Sequence, residues 1–117
     1  MPKALPVIDI RAPICCEPIA MVPLGEDMAV HLALRLKALA DPARLRLMSI
    51  LLTSNGGEVC TRDLAEMVAL TDGTVSHHLS QLKKAGLATA QRRGPHVYYR
   101  ANAQAIEALR GVLMTCC

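Results

Sequence analysis

The chain has 117 residues, the length of one domain, and 52% of them are hydrophobic, which excludes a wholly disordered chain and leaves little room for a deep enzyme cleft. Aromatics are 2%, with no Trp or Phe, so Leu, Ala, Val, Ile and Met must pack the interior; helices fit that better than an aromatic-rich β-sandwich. The net charge of +3 is uneven, because residues 74–117 carry Lys83, Lys84, Arg92, Arg93, Arg100 and Arg110 against Glu107 alone, which points to an anionic partner, nucleic acid first, or else to a solvated basic face.

Residues 1–25 read as a flexible arm carrying Cys15 and Cys16, broken by Pro2, Pro6, Pro13, Pro18 and Pro23. Asp9 and Glu17 interrupt any apolar run there, so no secretory signal is expected, and no stretch of the chain reads as a membrane span. Five cysteines in close pairs do not suggest a disulfide framework; a cytoplasmic, reducing setting is the expectation. Residues 26–117 then form the folded domain.

A first helix is predicted from Met28 to Ala40, with Leu32, Leu36 and Leu39 on one stripe and Ala29, Ala33 and Leu34 widening it, as at a core plus a dimer contact. Asp41-Pro42 caps and opens a second helix that runs to about Thr53, with Leu45, Met48, Leu51 and Leu52 facing inward. Ser54-Asn55-Gly56-Gly57 ends it. A short third helix starts near Cys60, with Thr61 as its cap, and reaches about Val68. After a three-residue break, Thr71 caps a fourth helix that Gly86 ends, with Val75, Leu79 and Leu82 inward. Two helices joined so tightly make a helix-turn-helix. Leu87–Gln91 and His96–Arg100 read as a β-hairpin turning at Arg92-Arg93-Gly94-Pro95, and a last helix spans about Ala103 to Leu113. The fold class is therefore mainly α with a small β-hairpin: a winged helix-turn-helix with helical dimerisation elements at both ends.

Short polar side chains at the start of a second helix can reach base edges in the major groove. Thr74, Ser76 and His77 occupy that place, and Gln81 and Lys84 continue the face towards a phosphate strand. Arg92 and Arg93, at the tip of the hairpin with no acid nearby in the chain, can reach backbone or minor groove. Taken singly, Thr74 and Ser76 could be routine surface hydroxyls, and His77-His78 one exposed and one half-buried ring. Asp72 sits awkwardly, since it repels phosphate, though it suits the helix dipole or a cytosine amino group.

From about Leu36 to Asn102 the chain resembles the ArsR/SmtB family of metal-sensing winged-helix repressors, most closely its arsenic-responsive members. The resemblance rests on the run Leu36–Leu47, on Thr74–Leu87 and on Arg92-Arg93-Gly94 followed by Val97-Tyr98-Tyr99-Arg100. It implies a homodimer, joined through the first and last helices, that binds double-stranded operator DNA and leaves it when a metal or metalloid binds. One family site uses Asp, His or Glu pairs on the last helix; here that helix holds Glu107 but no His or Asp, so this site is not expected. Another uses Cys at the start of the first helix of the helix-turn-helix, with Cys from the arm. Cys60 and Cys15-Cys16 match it, although Arg62 stands where a C-V-C-D-L run has its second Cys.

Thiolates favour thiophilic acceptors, and a helix N-terminus favours the thiolate form. Three thiolates with no His nearby suit As(III) or Sb(III) better than tetrahedral zinc, so Cys15, Cys16 and Cys60 make the first-choice site, with Cys116 and Cys117 as a weaker second. The lesser reading is that Cys60 is a small buried apolar residue and the arm pair is incidental. A cadmium or lead sensor with a fourth ligand, or a thiol redox switch on the same scaffold, are the alternatives. No motif brings a nucleophile, base and orienter together, so no enzyme is expected.

Overall fold

The structure, a computed structural model, describes Ile19 and residues 22–113. Most of the arm, including Cys15 and Cys16, lies outside the described residues, as do Cys116 and Cys117. Eight elements follow in order: α1 (Glu26–Leu39), α2 (Pro42–Thr53), β1 (Glu58–Cys60), α3 (Thr61–Val68), α4 (Asp72–Lys84), β2 (Ala88–Arg93), β3 (His96–Ala101) and α5 (Ala103–Leu113). The strands form one antiparallel sheet in the order β1-β3-β2. This is a winged helix-turn-helix. Among the described residues no helix is long and apolar enough to cross a membrane.

Local chemistry accounts for the helix boundaries. Asp41 accepts from the N–H groups of Ala43 (2.8 Å) and Arg44 (3.2 Å), while Pro42 takes the first helical position, where no N–H is needed. Thr71 accepts from the Thr74 N–H at 3.2 Å and so starts α4. The α3–α4 turn closes with Ala69 in the left-handed region (φ 56°), and the Leu70 N–H reaches back to the Ala65 carbonyl at 3.1 Å. Glycine is the usual occupant of that position; here it is alanine, and the N–H groups of Ala69 and Leu70 both bond back into α3. Asn102 joins three elements: its amide donates to the Gly86 carbonyl (3.0 Å) and its side-chain oxygen accepts from the Ala105 N–H (3.3 Å) at the start of α5.

The core runs from α1 through the helix-turn-helix to the sheet. Leu47, Leu51, Leu64, Val75, Leu79, Leu82 and Leu87 are its fully buried side chains, with Leu109 and Val112 closing it from α5. Val75, Leu79 and Leu82 thus face inward as their spacing requires.

Several expectations need correction. In α2, Leu45 (54% exposed) and Leu52 (47%) do not face inward; the buried set is Leu47, Met48 and Leu51. Leu45 and Leu52 instead line an apolar groove with Leu39, Met48 and Ile106. Thr61 is the first residue inside α3 and not its cap: Cys60 holds the cap position, and the Thr61 hydroxyl donates to the Val97 carbonyl at 3.3 Å. The hairpin turn is Gly94-Pro95 alone, because Arg92 and Arg93 pair with Val97 and His96 in the ladder and Gly94 (φ 60°) supplies the left-handed residue. The wing also has a third strand, β1, which the sequence pattern did not suggest.

Asp41 yields a pH prediction. Partial burial pushes its carboxyl up, but the N–H donors of Arg44 and Ala43 and the nearby Arg44 charge outweigh this and hold it below its ordinary value. The unfolded chain therefore takes up this proton at higher pH than the folded one. The ionised cap stabilises the fold at neutral pH, and the contribution is lost as the pH falls through the depressed range. Urea midpoints of the wild type and Asp41→Asn, compared from neutral to acid pH, should converge as the pH falls, since asparagine caps without the charge. A gap unchanged across the range would show that the charge contributes nothing.

Candidate nucleic-acid interface and thiol site

The exposed end of α4 follows from its cap. With Thr71 holding the first turn and Val75 and Leu79 buried, Thr74, Ser76 and His77 are left at the surface, Lys84 is exposed and Gln81 is half-buried. The Thr71 hydroxyl also lies 2.9 Å from that of Thr74, so Thr74 is engaged in the cap and offers less to a base than Ser76 or His77. The two histidines have separate roles. His77 is exposed, whereas half-buried His78 accepts on Nδ1 from Arg44 Nε at 3.1 Å and ties α4 to α2. Asp72 is exposed at the start of the helix.

On the wing, Arg92 is exposed, and its guanidinium donates to the nearby Gly94 carbonyl at 3.4 Å. Arg93 differs. Its guanidinium crosses the sheet face over the Tyr98 ring (4.9 Å to the centroid), donates to Gln91 Oε1 (2.9 Å) and makes a two-point contact with Glu58. The expectation that no acid stands near the wing arginines is therefore wrong for Arg93, because β1 places Glu58 within reach. The Arg93 hydrogen bond holds the Glu58 carboxyl below its usual range, against a smaller opposing effect of burial.

Cys60 ends β1, occupies the N-cap position of α3 without a side-chain capping bond, and pairs with Tyr98 of β3. It is buried, and it borders a cleft of about 490 Å³ whose other walls are Thr61 and Arg62 of α3, Asp72 and Ser76 of α4, and Pro95, His96 and Val97 of the wing. The cleft thus brings together the thiol, one of the expected base readers and the wing. It also places His96 on the same wall system as Cys60, contrary to the expectation of no histidine nearby. Among the described residues no group of three or more His, Cys, Asp or Glu is arranged to hold a metal ion. A centre at Cys60 would need donors beyond those gathered here. Glu107 of α5 is paired with Arg110 on the same helix.

Sequence reasoning missed Glu58, Asn102 and His96. Only Asn102, just ahead of an apolar-periodic helix, carried a local signal, that of an N-cap residue.

A family profile described as "Bacterial regulatory protein, arsR family" matches residues 41–90, the span from the Asp41 cap to the second strand. The chain is 32% identical over 71 residues to the transcriptional repressor SdpR of Bacillus subtilis (strain 168), covering 61% of this chain and 76% of that protein. It is 34% identical over 82 residues to the arsenical resistance operon repressor of the same organism, covering 70% and 76%. Two further relatives are matched over about half their length. Among solved structures, that of the AntR antimony-specific transcriptional repressor superposes with a TM-score of 0.66 at 26% identity, covering 83% of this chain and 89% of the other.

Proposed function

Since this chain belongs to the arsR family of bacterial regulatory proteins, we propose that it is a metalloid-responsive repressor, bound to operator DNA as a homodimer and released when As(III) or Sb(III) is captured by Cys15, Cys16 and Cys60. The family consists of transcriptional regulators, and the chain is not an enzyme. The observation that carries the sensing half is the place of Cys60: one residue serves as the end of β1, the cap of α3 and a wall of the cleft shared with Ser76 and the wing. A thiophilic guest there would press on both DNA-facing elements together. The similarity to an arsenical resistance operon repressor and to the structure of an antimony-specific transcriptional repressor supports the choice of metalloid.

On the DNA side, Ser76, His77, Gln81 and Lys84 read and flank the major groove from α4, with Thr74 holding the first turn, and Arg92 and Arg93 contact backbone from the wing. A dimer is supported by large apolar side chains left exposed on the terminal helices, Val30 and Leu34 on α1 and Leu113 on α5. Two readers of a dimer must enter grooves about 34 Å apart, so a small displacement of each weakens both half-sites.

Cadmium or lead is the second reading. His96 favours it, because an imidazole beside the cleft could supply the fourth donor that three-coordinate arsenite does not take. The test is fluorescence anisotropy of the full chain on a two-fold symmetric duplex that it selects from a random pool, with arsenite, antimonite, cadmium and lead added in turn. Release by arsenite or antimonite alone is the expected result. Release by cadmium or lead alone would favour the second reading, and release by peroxide, reversed by a reductant, would point to a redox switch.

A further inference from the structure

The wing carries an acid where its cations would serve phosphate. Glu58 stands directly opposite Arg100 in the β1–β3 register, and its second oxygen lies 3.7 Å from the Arg100 guanidinium. From β2, Arg93 reaches over Tyr98 to the same carboxylate, with Nη2 3.2 Å from Oε2. The neighbouring glycine makes room: Gly57 has φ 78°, and a Cβ there would stand 2.8 Å from Arg100 Nη1. One carboxylate thus gathers two of the cations that the sequence places on the wing.

We propose that Glu58 is a latch that competes with nucleic-acid phosphate for Arg93 and Arg100 and so sets how strongly the wing grips DNA. This rests on the reading of the wing as a DNA-contacting element. The latch is built to open. Both partners are partly solvated, with side-chain exposures of 46% for Arg93 and 24% for Glu58, and exposed pairs of this kind are weak enough to be exchanged for a phosphate. A bidentate guanidinium matches a phosphate as well as a carboxylate, so the exchange keeps the hydrogen-bond count. Glu58 also lies two residues before Cys60 on the same three-residue strand. A shift of β1 at the thiol would move the latch relative to Arg93 on β2, which links the cleft to the wing without passing through α4.

The test is a double-mutant cycle on the full chain, by anisotropy on a labelled mixed-sequence duplex at low salt. Glu58→Gln is expected to bind about 2–5-fold more tightly than wild type, the factor corresponding to release of an exposed ion pair. In an Arg93→Ala background most of that gain should vanish, because the cation it frees is absent. Glu58→Ala serves as the second variant, and matching circular dichroism melts confirm that the sheet persists. Unchanged or weaker binding by Glu58→Gln overturns the latch, and so does a gain that survives fully in Arg93→Ala, which would be simple removal of negative charge. The double variant Arg92→Ala/Arg93→Ala separates the premise: if it binds as tightly as wild type, the wing does not contact DNA and the latch falls with it.

Discussion

Replacing Leu79 by alanine is expected to cost about 2–5 kcal/mol of folding stability, the range for truncating a fully buried leucine whose surroundings cannot collapse into the space. Leu79 has no exposed surface, and it sits in α4 between Val75 and Leu82, which are equally buried. A domain of this size has roughly 5–15 kcal/mol in total, so the loss is a large share of it. The effect reaches function because the same helix carries Ser76 and His77 on its outer side, and their direction depends on how its inner side is seated. The check is urea denaturation followed by circular dichroism, with DNA affinity measured well below the midpoint. Leu45→Ala is the contrast. Leu45 is 54% exposed despite its apolar character, and its truncation in the isolated chain should cost less than about 1 kcal/mol. Equal losses at both positions would mean that α2 is buried on the side where Leu45 lies and that its assignment as surface is wrong.

What the sequence disclosed and what it withheld divides by distance along the chain. Asp41-Pro42, Thr71 and Gly86 mark helix ends through bonds to residues two to four positions away, so they could be read locally. The inward face of α4 was legible because 3.6-residue periodicity places Val75, Leu79 and Leu82 together. In α2 the same reasoning misplaced Leu45 and Leu52, since apolar residues ring the helix and only its neighbours decide which side is covered. The strand β1 could not be read: three residues carry no periodicity, and they form a strand only because Glu58, Val59 and Cys60 find Arg100, Tyr99 and Tyr98 some forty residues later. From that one omission came two others. Counting charges along the chain left Arg93 without an acid, and counting histidines near Cys60 missed His96, which the wing folds back to the cleft.

Cys60→Ser is expected to leave DNA binding nearly intact and to abolish release by arsenite, which for a coupling of about 1–3 kcal/mol means the loss of a roughly 5–150-fold drop in affinity. The first half follows from size and place. Serine is close to cysteine in volume, its hydroxyl can occupy the cap position of α3, and the strand pairing of residue 60 with Tyr98 uses backbone alone. The second half follows from ligand chemistry, since a hydroxyl does not replace a thiolate toward a thiophilic centre. The arm variants Cys15→Ser and Cys16→Ser should share the phenotype if all three thiols act on one centre, whereas Cys116→Ser and Cys117→Ser should not. Anisotropy titrations of each variant with arsenite measure both properties in one experiment. Should Cys60→Ser still let go of DNA at the wild-type arsenite concentration, the centre is elsewhere and the cleft between α3, α4 and the wing is no part of sensing. Should it fail to bind DNA at all while its melting curve matches the wild type, residue 60 would belong to the DNA-facing machinery itself, and the separation between thiol capture and DNA reading would have to be redrawn at the β1–α3 junction.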